Sequence, residues 1–342
     1  MSVTIREVAK EAGTSISTVS KALNNSYTIS GETTEHVKAV AERLGYRPNA
    51  RAQTFARQAS REVVFLTYLP KDIAFTNPHM FEILAGAEAA LRLKGYAIKL
   101  RGCDADTVCD LTKDISAGKL ADGLLLHASV VTRELAVLIN RLEIPHIVIG
   151  KPGFPSSLCW IDNNNQLAGE IAAGYLLDLG HRRIAFIGGL DGDRISQDRL
   201  EGVLNRLEEQ RIKPDGSHIL KADSTIQNGS DMAKTLTDGY LPDAIVCANN
   251  LLACGCLRLL QRRGINVPDD LSLITFDDYP LAQWTAPMLT TVSIDMYEMG
   301  MSAGKLLVNK IKKPEMQVQT YTTLPRLIER ESAAAPKKVT LI

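Results

Sequence analysis

The sequence predicts a small all-α head followed by a larger α/β body made of two lobes. Apolar residues recur at helical spacing three times within residues 5–44. From Val63 onward, short apolar runs alternate with amphipathic helical stretches, which is typical of parallel sheets covered on both faces. The chain has 342 residues. The roughly 270 residues of alternating pattern exceed one comfortable core, so we expect two lobes.

The head contains three predicted helices separated by glycine or polar breaks. The first ends at Gly13, Ser15 is placed to cap the second, and Ser30 is placed to cap the third. Two helices joined by a glycine-containing turn and backed by a third describe a helix-turn-helix. The residues predicted to face inward are Ile5, Val8, Ala9, Ala12, Val19, Ala22, Leu23, Val37, Val40, Ala41 and Leu44.

The second predicted helix has the side chains of a helix that reads DNA. Its outer face carries Ile16, Ser17, Ser20 and Lys21, which can reach base edges and phosphates in a major groove. Residues 1–60 contain eight basic residues, five acidic residues and no aspartate, although the whole chain has no net charge. A basic head indicates contact with a polyanion. The alternative is a structural helical hairpin that does not bind DNA.

A short segment rich in alanine and arginine follows the third helix. Pro48 can precede a helix over residues 49–58, in which Phe55 is the one bulky apolar side chain. A helix this short is marginal alone, so it should be ordered only against its twin in a dimer or against DNA. We interpret it as a hinge helix that lies in the minor groove and inserts Phe55 between base pairs. The alternative is an ordinary linker.

Polar side chains follow three predicted strands of the body. Arg199, Asn249 and Asp277 each come after an apolar run of strand length. In doubly wound sheets, ligands bind beyond the carboxyl ends of the strands. A carboxylate accepts from ligand hydroxyls, and arginine and amide groups donate to ligand oxygens. Singly, each residue could be a helix cap or a loop residue; together they favour a binding site.

Nothing in the sequence demands catalysis, a metal ion or a cofactor. It contains no dinucleotide fingerprint, phosphate-cradling loop or nucleophile elbow, and its six histidines have no metal-ligand spacing. The six cysteines lack metal and redox spacings, so we expect reduced thiols in a cytoplasmic protein. No apolar run approaches the ~20 residues of a membrane helix, and no secretory signal is expected. His181, which precedes a strand, is expected in a surface turn.

A nearly continuous motif runs through the first fifty residues. It reads Thr4-Ile5-x-Glu7-Val8-Ala9-x-x-Ala12-Gly13-Thr14-Ser15-x-x-Thr18-Val19-Ser20-Lys21-x-Leu23-Asn24, then Gly45-Tyr46-Arg47-Pro48-Asn49-x-x-Ala52. This motif resembles the head of the lactose-repressor (LacI/GalR) family of bacterial transcription regulators. The DNA-binding residues that the resemblance implies are Thr4, Ser15, Ile16, Ser17, Thr18, Ser20, Lys21, Asn24, Tyr46, Asn49, Ala52 and Phe55. Phe55 stands where the family usually has leucine, and Lys21 stands where arginine is common.

The body carries further motifs of the same family. They include Leu179-Gly180-His181-Arg182-Arg183-Ile184-Ala185-Phe186-Ile187-Gly188-Gly189 and Val267-Pro268-x-Asp270-Leu271-Ser272-Leu273-Ile274-x-Phe276-Asp277-Asp278. The resemblance implies a periplasmic-binding-protein-like pair of doubly wound parallel-sheet lobes joined by three crossovers. The effector-binding residues predicted on this basis are His79, Phe81, Arg199, Asn249, Asp277 and Trp284. Ser224 stands where relatives often have an aromatic residue, and Trp284 could supply an aromatic wall instead.

The predicted domains follow from these patterns. They are a helix-turn-helix domain (1–48), a hinge helix (49–59), an effector-binding and dimerisation core (60–332) and a flexible tail (333–342). Within the core, the N-lobe is predicted at about 60–160 and 291–322, and the C-lobe at about 161–290 and 323–332.

The resemblance implies a sequence-specific transcription regulator, most simply a repressor that acts in the cytoplasm. We expect a homodimer, or a tetramer, on a near-palindromic operator in double-stranded DNA. A small polar ligand between the lobes, a carbohydrate or a derivative, would control it. Two alternatives belong to other functional classes. One is a ligand receptor without DNA contact, which the complete head argues against, and the other is an enzyme on a doubly wound fold.

Overall fold

The computed structural model describes residues 3–23, 28–46, 60–71, 79–188, 190, 192–321 and 324–336. The chain divides into two compact units whose main boundary lies at Arg61. We call the first unit the head and the second the body. The predicted hinge segment, residues 49–59, lies outside the described residues.

The described residues of the head form three helices around a small apolar core. These are α1 (Ile5–Glu11), α2 (Ile16–Leu23) and α3 (Gly31–Arg43). The core consists of Val8, Ala9, Ala12, Val19, Ala22, Val37, Val40 and Ala41, all of which were predicted to face inward. The predicted helix-turn-helix is therefore confirmed.

Two serine side chains cap helices of the head, as predicted. Oγ of Ser15 accepts the amide proton of Thr18 at 3.1 Å, and Oγ of Ser30 accepts that of Thr33 at 3.3 Å. Each bond satisfies a backbone donor that has no partner within its own helix. Gly13 ends the turn after α1 with a φ of 62°, a left-handed conformation that glycine adopts without strain.

The N-lobe of the body is built on a six-stranded sheet. Its strands are β1 (Glu62–Thr67), β2 (Ala97–Gly102), β3 (Gly123–His127), β4 (His146–Ile149), β5 (Trp160–Asp162) and β11 (Gln319–Tyr321). Their order is β11-β5-β4-β3-β1-β2. The helices of this lobe are α4 (His79–Arg92), α5 (Val108–Ala117), α6 (Arg133–Leu142) and α12 (Met296–Lys312).

The C-lobe repeats this plan with a second six-stranded sheet. Its strands are β6 (Ile184–Ile187), β7 (Ile219–Leu220), β8 (Ala244–Cys247), β9 (Ser272–Phe276), β10 (Thr290–Ser293) and β12 (Arg326–Ile328). Their order is β12-β10-β9-β8-β6-β7. Its helices are α7 (Asn165–Asp178), α8 (Arg194–Glu209), α9 (Ile226–Asp238), α10 (Asn250–Arg262) and α11 (Pro280–Gln283).

Both sheets are parallel, except that β10 and β12 pair antiparallel. The central strands are buried along nearly their whole length, because helices cover both faces. The predicted architecture of two parallel-sheet lobes is therefore confirmed. Among the described residues, no helix is long and apolar enough to cross a membrane.

Pairs of glycines let neighbouring helices of the body cross with their backbones in contact. They are Gly86 with Gly300, Gly169 with Gly202, and Gly229 with Gly255. A Cβ atom on Gly202 would lie 1.9 Å from the carbonyl oxygen of Gln166, and one on Gly169 would lie 2.0 Å from that of Arg199. Any side chain at these positions would therefore force the helices apart.

Sheet pairing moves one predicted lobe boundary. Strand β10 pairs with β9 in the C-lobe sheet, so the chain leaves that lobe after Ser293 rather than after residue 290. The apolar pattern alone did not mark this crossing, because a strand and the segment that follows it can be equally apolar.

The C-terminal segment and His181 also differ from the prediction. Ala333 is buried, the Ala334 amide donates to Oγ of Ser272 at 3.1 Å, and the Ala334 carbonyl lies 2.9 Å from Nε2 of His181. The predicted flexible tail is therefore wrong for residues 333 and 334. His181 is only 2% exposed, so the predicted surface turn is wrong as well. Both corrections arise because distant segments of the chain pack together, which no local pattern shows.

Candidate functional sites

The outer face of α2 presents the side chains that were predicted to read DNA. Ile16 is 45% exposed, and Ser17 and Lys21 are also exposed. Val19 and Ala22, on the opposite face, are fully buried in the head. An exposed apolar residue, a hydroxyl and a cation on one helix face can contact base edges and phosphates.

The described residues predicted to contact phosphates lie at helix ends or beside the same face. Thr4 caps α1 and exchanges hydrogen bonds with Glu7, while Ser15 caps α2. Tyr46 is half-buried and packs against the core of the head. The partial positive charge at a helix N-terminus favours an anionic ligand. Asn24, Asn49, Ala52 and Phe55, also predicted to contact DNA, lie outside the described residues.

Arg199 and Asp277 form a buried ion pair in the C-lobe. Arg199 comes from α8, and Asp277 comes directly after β9. The guanidinium donates to both carboxylate oxygens, at 2.9 and 3.0 Å, and the side chains are only 2% and 3% exposed. Arg199 also donates to the carbonyl of Ala248 and to Oδ1 of Asn165. Arg199 and Asp277 therefore lie together at one edge of the C-lobe sheet, as the sequence predicts.

The charge of Asp277 is held by its neighbours. Burial alone would raise the pKa of this carboxyl, but the nearby Arg199 and His79 outweigh burial and hold the pKa well below its usual range. The backbone of Asp277 has a φ of 69°, which is uncommon for a residue with a side chain. Backbone strain of this kind often accompanies functional sites.

His79 brings the N-lobe into this cluster. It is the first residue of α4, and its Nε2 lies 3.3 Å from Oδ2 of Asp277. Its Nδ1 lies 2.7 Å from the hydroxyl of Tyr279, and the two rings meet edge to face. The structure therefore brings together three of the predicted effector residues, His79, Arg199 and Asp277. Tyr279 was not among those predicted.

The two neighbouring asparagines have different roles. Asn249 caps α10 by accepting the amide proton of Leu252 at 3.1 Å, and its Nδ2 donates to Oγ of Ser224 at 2.6 Å. Asn250 donates to the carbonyl of Asp277 at 2.8 Å. Oδ1 of Asn250 is buried and has no hydrogen-bond partner among the described residues, so it can accept from a ligand or a water.

The two aromatic residues predicted to bind the effector are not buried with this cluster. Phe81 is 44% exposed, and Trp284, which follows α11, is 82% exposed. Neither makes a described hydrogen bond or ring contact with the Arg199–Asp277 pair. The ring that does lie against the Arg199 guanidinium, at 4.5 Å, is that of Phe276.

His127, at the end of β3, is a further polar group on the N-lobe. Its Nδ1 accepts the amide proton of Ser129 at 3.3 Å, so a neutral ring carries its proton on Nε2. Burial, with a smaller effect of His79, lowers the pKa of His127 to about 4, so the ring is neutral at pH 7. Sequence reasoning missed this residue, although it follows a predicted strand just as Arg199 and Asp277 do.

Comparison with known proteins agrees with these features. Residues 4–49 match the sequence model "Bacterial regulatory proteins, lacI family", and residues 173–333 match a periplasmic binding protein-like domain. Catabolite control protein A of Staphylococcus epidermidis is 30% identical over 332 residues, which cover 96% of this chain and 98% of that protein. The chain belongs to the lacI family. The family resemblance predicted from the sequence is confirmed.

One further relative and one solved structure extend the comparison. The HTH-type transcriptional repressor PurR of Vibrio atlanticus is 28% identical over 334 residues, covering 96% of this chain and 98% of that protein. The complex of the transcriptional regulator CelR with cellobiose has a TM-score of 0.73 at 27% identity, covering 97% of this chain and all of that one. This lacI-family protein is a DNA-binding transcriptional repressor with an effector-binding domain, and not an enzyme.

Proposed function

We propose that this regulator binds a near-palindromic operator in the cytoplasm as a homodimer. We propose further that a carbohydrate or carbohydrate derivative, held between its lobes, controls that binding. The observation that carries the proposal is the cluster of His79, Arg199, Asp277 and Tyr279, in which polar groups of both lobes meet beyond the strand ends. A ligand bound there contacts both lobes at once.

On the DNA side, Ile16, Ser17 and Lys21 are the proposed base-reading residues. They share the exposed face of α2. The proposed phosphate contacts come from Thr4, Ser15, Thr18, Ser20, Asn24, Tyr46 and Asn49. The proposed hinge contributes Ala52 and Phe55 to the minor groove.

The proposed dimer follows from the size of the reading helix. Helix α2 has eight residues. It is therefore about 12 Å long, which spans only part of one turn of DNA. Two heads related by a dyad would read two half-sites, and an operator with matching symmetry would engage both.

The proposed ligand class follows from the chemistry of the cluster. Asp277 can accept from hydroxyls, Arg199 and Asn249 can donate to ring or hydroxyl oxygens, and Asn250 offers a free acceptor. The related CelR structure contains cellobiose, which supports a carbohydrate. We expect the ligand to weaken operator binding, because release is the commoner arrangement in the family. A typical coupling of about 1–3 kcal/mol would change operator affinity roughly 5- to 150-fold.

Selection of bound genomic fragments by the full-length protein tests the DNA side. The selected operators should share two half-sites related by a dyad. Lys21→Ala should reduce operator affinity by about 1–3 kcal/mol. It should also relax the base preference at one position in each half-site. Lys38→Ala, which removes a cation on α3 that pairs with Glu35, is the matched control and should leave base preference unchanged. Absence of a shared, symmetric site would reject the proposal.

Isothermal titration of the full-length protein tests the ligand side. The panel contains sugars, sugar phosphates, polyols, nucleosides and purines. Asp277→Asn should weaken binding of the active compound by tenfold or more, equivalent to about 1.4 kcal/mol. Asp106→Asn, at an exposed carboxylate, is the control. An active compound that binds Asp277→Asn as tightly as the wild type would place the ligand elsewhere.

A further inference from the structure

Tyr279 makes a contact that joins the two lobes at the effector cluster. Its hydroxyl lies 2.7 Å from Nδ1 of His79, and the ring centroids are 4.8 Å apart at 85°. Tyr279 belongs to the C-lobe and His79 to the N-lobe. Both side chains are only partly exposed, so this contact lies within the fold.

The same imidazole reaches the carboxylate that should bind the effector. Nε2 of His79 lies 3.3 Å from Oδ2 of Asp277. When the Tyr279 hydroxyl donates to Nδ1, a neutral ring carries its proton on Nε2, the nitrogen that faces Asp277. The Asp277 carboxylate, which can only accept, favours this tautomer, and the Tyr279 hydroxyl holds the orientation of the ring.

Asp277 has no free side in this arrangement. Arg199 donates to both of its oxygens, His79 covers Oδ2, and the carboxylate is only 3% exposed. A ligand hydroxyl therefore cannot reach Asp277 unless one of these partners moves. Arg199 is anchored by Ala248 and Asn165 and is only 2% exposed, whereas His79 is 26% exposed. His79 is consequently the partner that can leave.

We propose that Tyr279 is a positioning residue that holds His79 against Asp277, and that the effector must displace His79 to reach Asp277. We call the Tyr279–His79–Asp277 contact between the lobes the latch. This inference rests on the proposed effector site. In this structure His79 lies where a ligand hydroxyl would donate to Asp277, and it ties α4 to the C-lobe. Displacing His79 breaks this tie between α4 and the C-lobe, so ligand binding changes the contact between the lobes.

The latch should lower the apparent affinity for the ligand, and this effect can be measured. A ligand that binds only the unlatched state has its apparent affinity reduced by the fraction of molecules that are unlatched. Removing the Tyr279 hydroxyl deletes one hydrogen bond of the latch, which contributes about 0.5–1.5 kcal/mol. Tyr279→Phe should therefore bind the effector roughly 2- to 12-fold more tightly.

Nitrogen NMR of the full-length protein labelled with ¹⁵N-histidine tests the latch without a ligand. The His79 signals are assigned by their loss in His79→Gln. For the neutral ring, we expect the proton on Nε2 and an acceptor at Nδ1. Tyr279→Phe should shift both signals. Tyr297→Phe is the control, because its exposed phenol makes no hydrogen bond among the described residues. His79 signals that are unchanged in Tyr279→Phe would overturn the proposal.

Titration with cellobiose tests the competition. Tighter binding by Tyr279→Phe, with the affinity of Tyr297→Phe unchanged, supports a latch. Equal or weaker binding by Tyr279→Phe overturns it, since Tyr279 would then be neutral or would contact the ligand itself. If no variant binds cellobiose, that choice of carbohydrate fails, and the NMR comparison still decides whether Tyr279 positions His79.

Discussion

Arg199 and Asp277 illustrate why single side chains matter in this regulator. Each is a full charge that is almost completely removed from water. Such a pair contributes little compared with apolar residues of the same volume, but removing one partner leaves an uncompensated buried charge. The pair is therefore better explained by ligand recognition than by stability.

At the residue scale, we expect Arg199→Met to lower the free energy of unfolding by about 3–5 kcal/mol, because Asp277 stays buried without its partner. The double variant Arg199→Met/Asp277→Leu should recover most of this loss. Arg194→Met, which removes an exposed cation that pairs with Asp198, should change stability by less than about 1 kcal/mol. Urea denaturation checks all three. An Arg199→Met variant that is as stable as the wild type would contradict this explanation.

A second residue, His146, should make the stability depend on pH. It is only 4% exposed, its Nδ1 lies 2.8 Å from the carbonyl of Ile144, and its Nε2 accepts the Cys159 amide proton. Burial is the main cause that lowers the pKa of His146 from 6.5 to about 4. As the pH falls below 6.5, the unfolded chain takes up a proton that the folded chain cannot bind until about pH 4. Stability is therefore lost as the pH falls.

The expected loss from His146 between about pH 7 and about pH 5 is on the order of 2 kcal/mol. His146→Gln should remove this part of the pH dependence, as measured by urea denaturation at several pH values. His36→Gln, at an exposed histidine of the head, should leave the dependence as it is in the wild type. If the free energy of unfolding changes with pH equally in His146→Gln and the wild type, His146 is not the cause of the pH dependence.

At the scale of elements, the helices of the head are specified by their own caps. Ser15→Ala and Ser30→Ala each remove the hydrogen-bond acceptor of a backbone amide in the first turn of a helix. Each should lower the stability of the head by about 1 kcal/mol. Only Ser15 lies beside the face predicted to contact DNA, so only Ser15→Ala should also weaken operator binding beyond its effect on folding. Circular dichroism melting and fragment binding separate the two effects. Equal losses of DNA affinity would show that Ser15 acts as a cap alone.

The glycine pairs make a different prediction about elements. Gly255→Ala should destabilise the body by about 3 kcal/mol or more, because its Cβ would lie 1.9 Å from the carbonyl of Ile226. Alanine normally stabilises a helix relative to glycine by about 1 kcal/mol, so a loss here is diagnostic of the close crossing. Gly216→Ala, which meets no atom within 4 Å, is the control. Urea denaturation that shows Gly255→Ala unchanged would contradict the close crossing.

At the scale of the whole molecule, the C-terminal segment joins the C-lobe sheet. Oγ of Ser332 accepts the Thr290 amide proton at 2.9 Å and donates to the carbonyl of Leu273. Ser332→Ala should cost about 1–3 kcal/mol, because both backbone groups are buried and lose their partner. Ser217→Ala, at an exposed serine, should change stability by less than about 0.5 kcal/mol. Thermal unfolding checks this, and equal melting temperatures would refute it.

The sequence by itself determined the three helices of the head, the parallel two-lobe plan and the shared sheet edge of Arg199 and Asp277. These features depend on local periodicity, on caps within three residues and on the rule that parallel strands end at one edge. The strands β5, β7, β11 and β12 were not predicted, because two or three residues carry too little pattern. Strand β10 was missed because three of its four residues are threonine or serine, so it lacks an apolar run.

Only the tertiary structure decided how the effector cluster is arranged. It placed His79 and Tyr279 in contact, although they lie 200 residues apart in the chain, and it placed Asn250 rather than Asn249 against the backbone of Asp277. It also buried Arg199 and Asp277 against each other. The physical reason is that each partner comes from a separate element. Side-chain distances between such elements follow from how the lobes pack, and no local pattern in the chain records that packing.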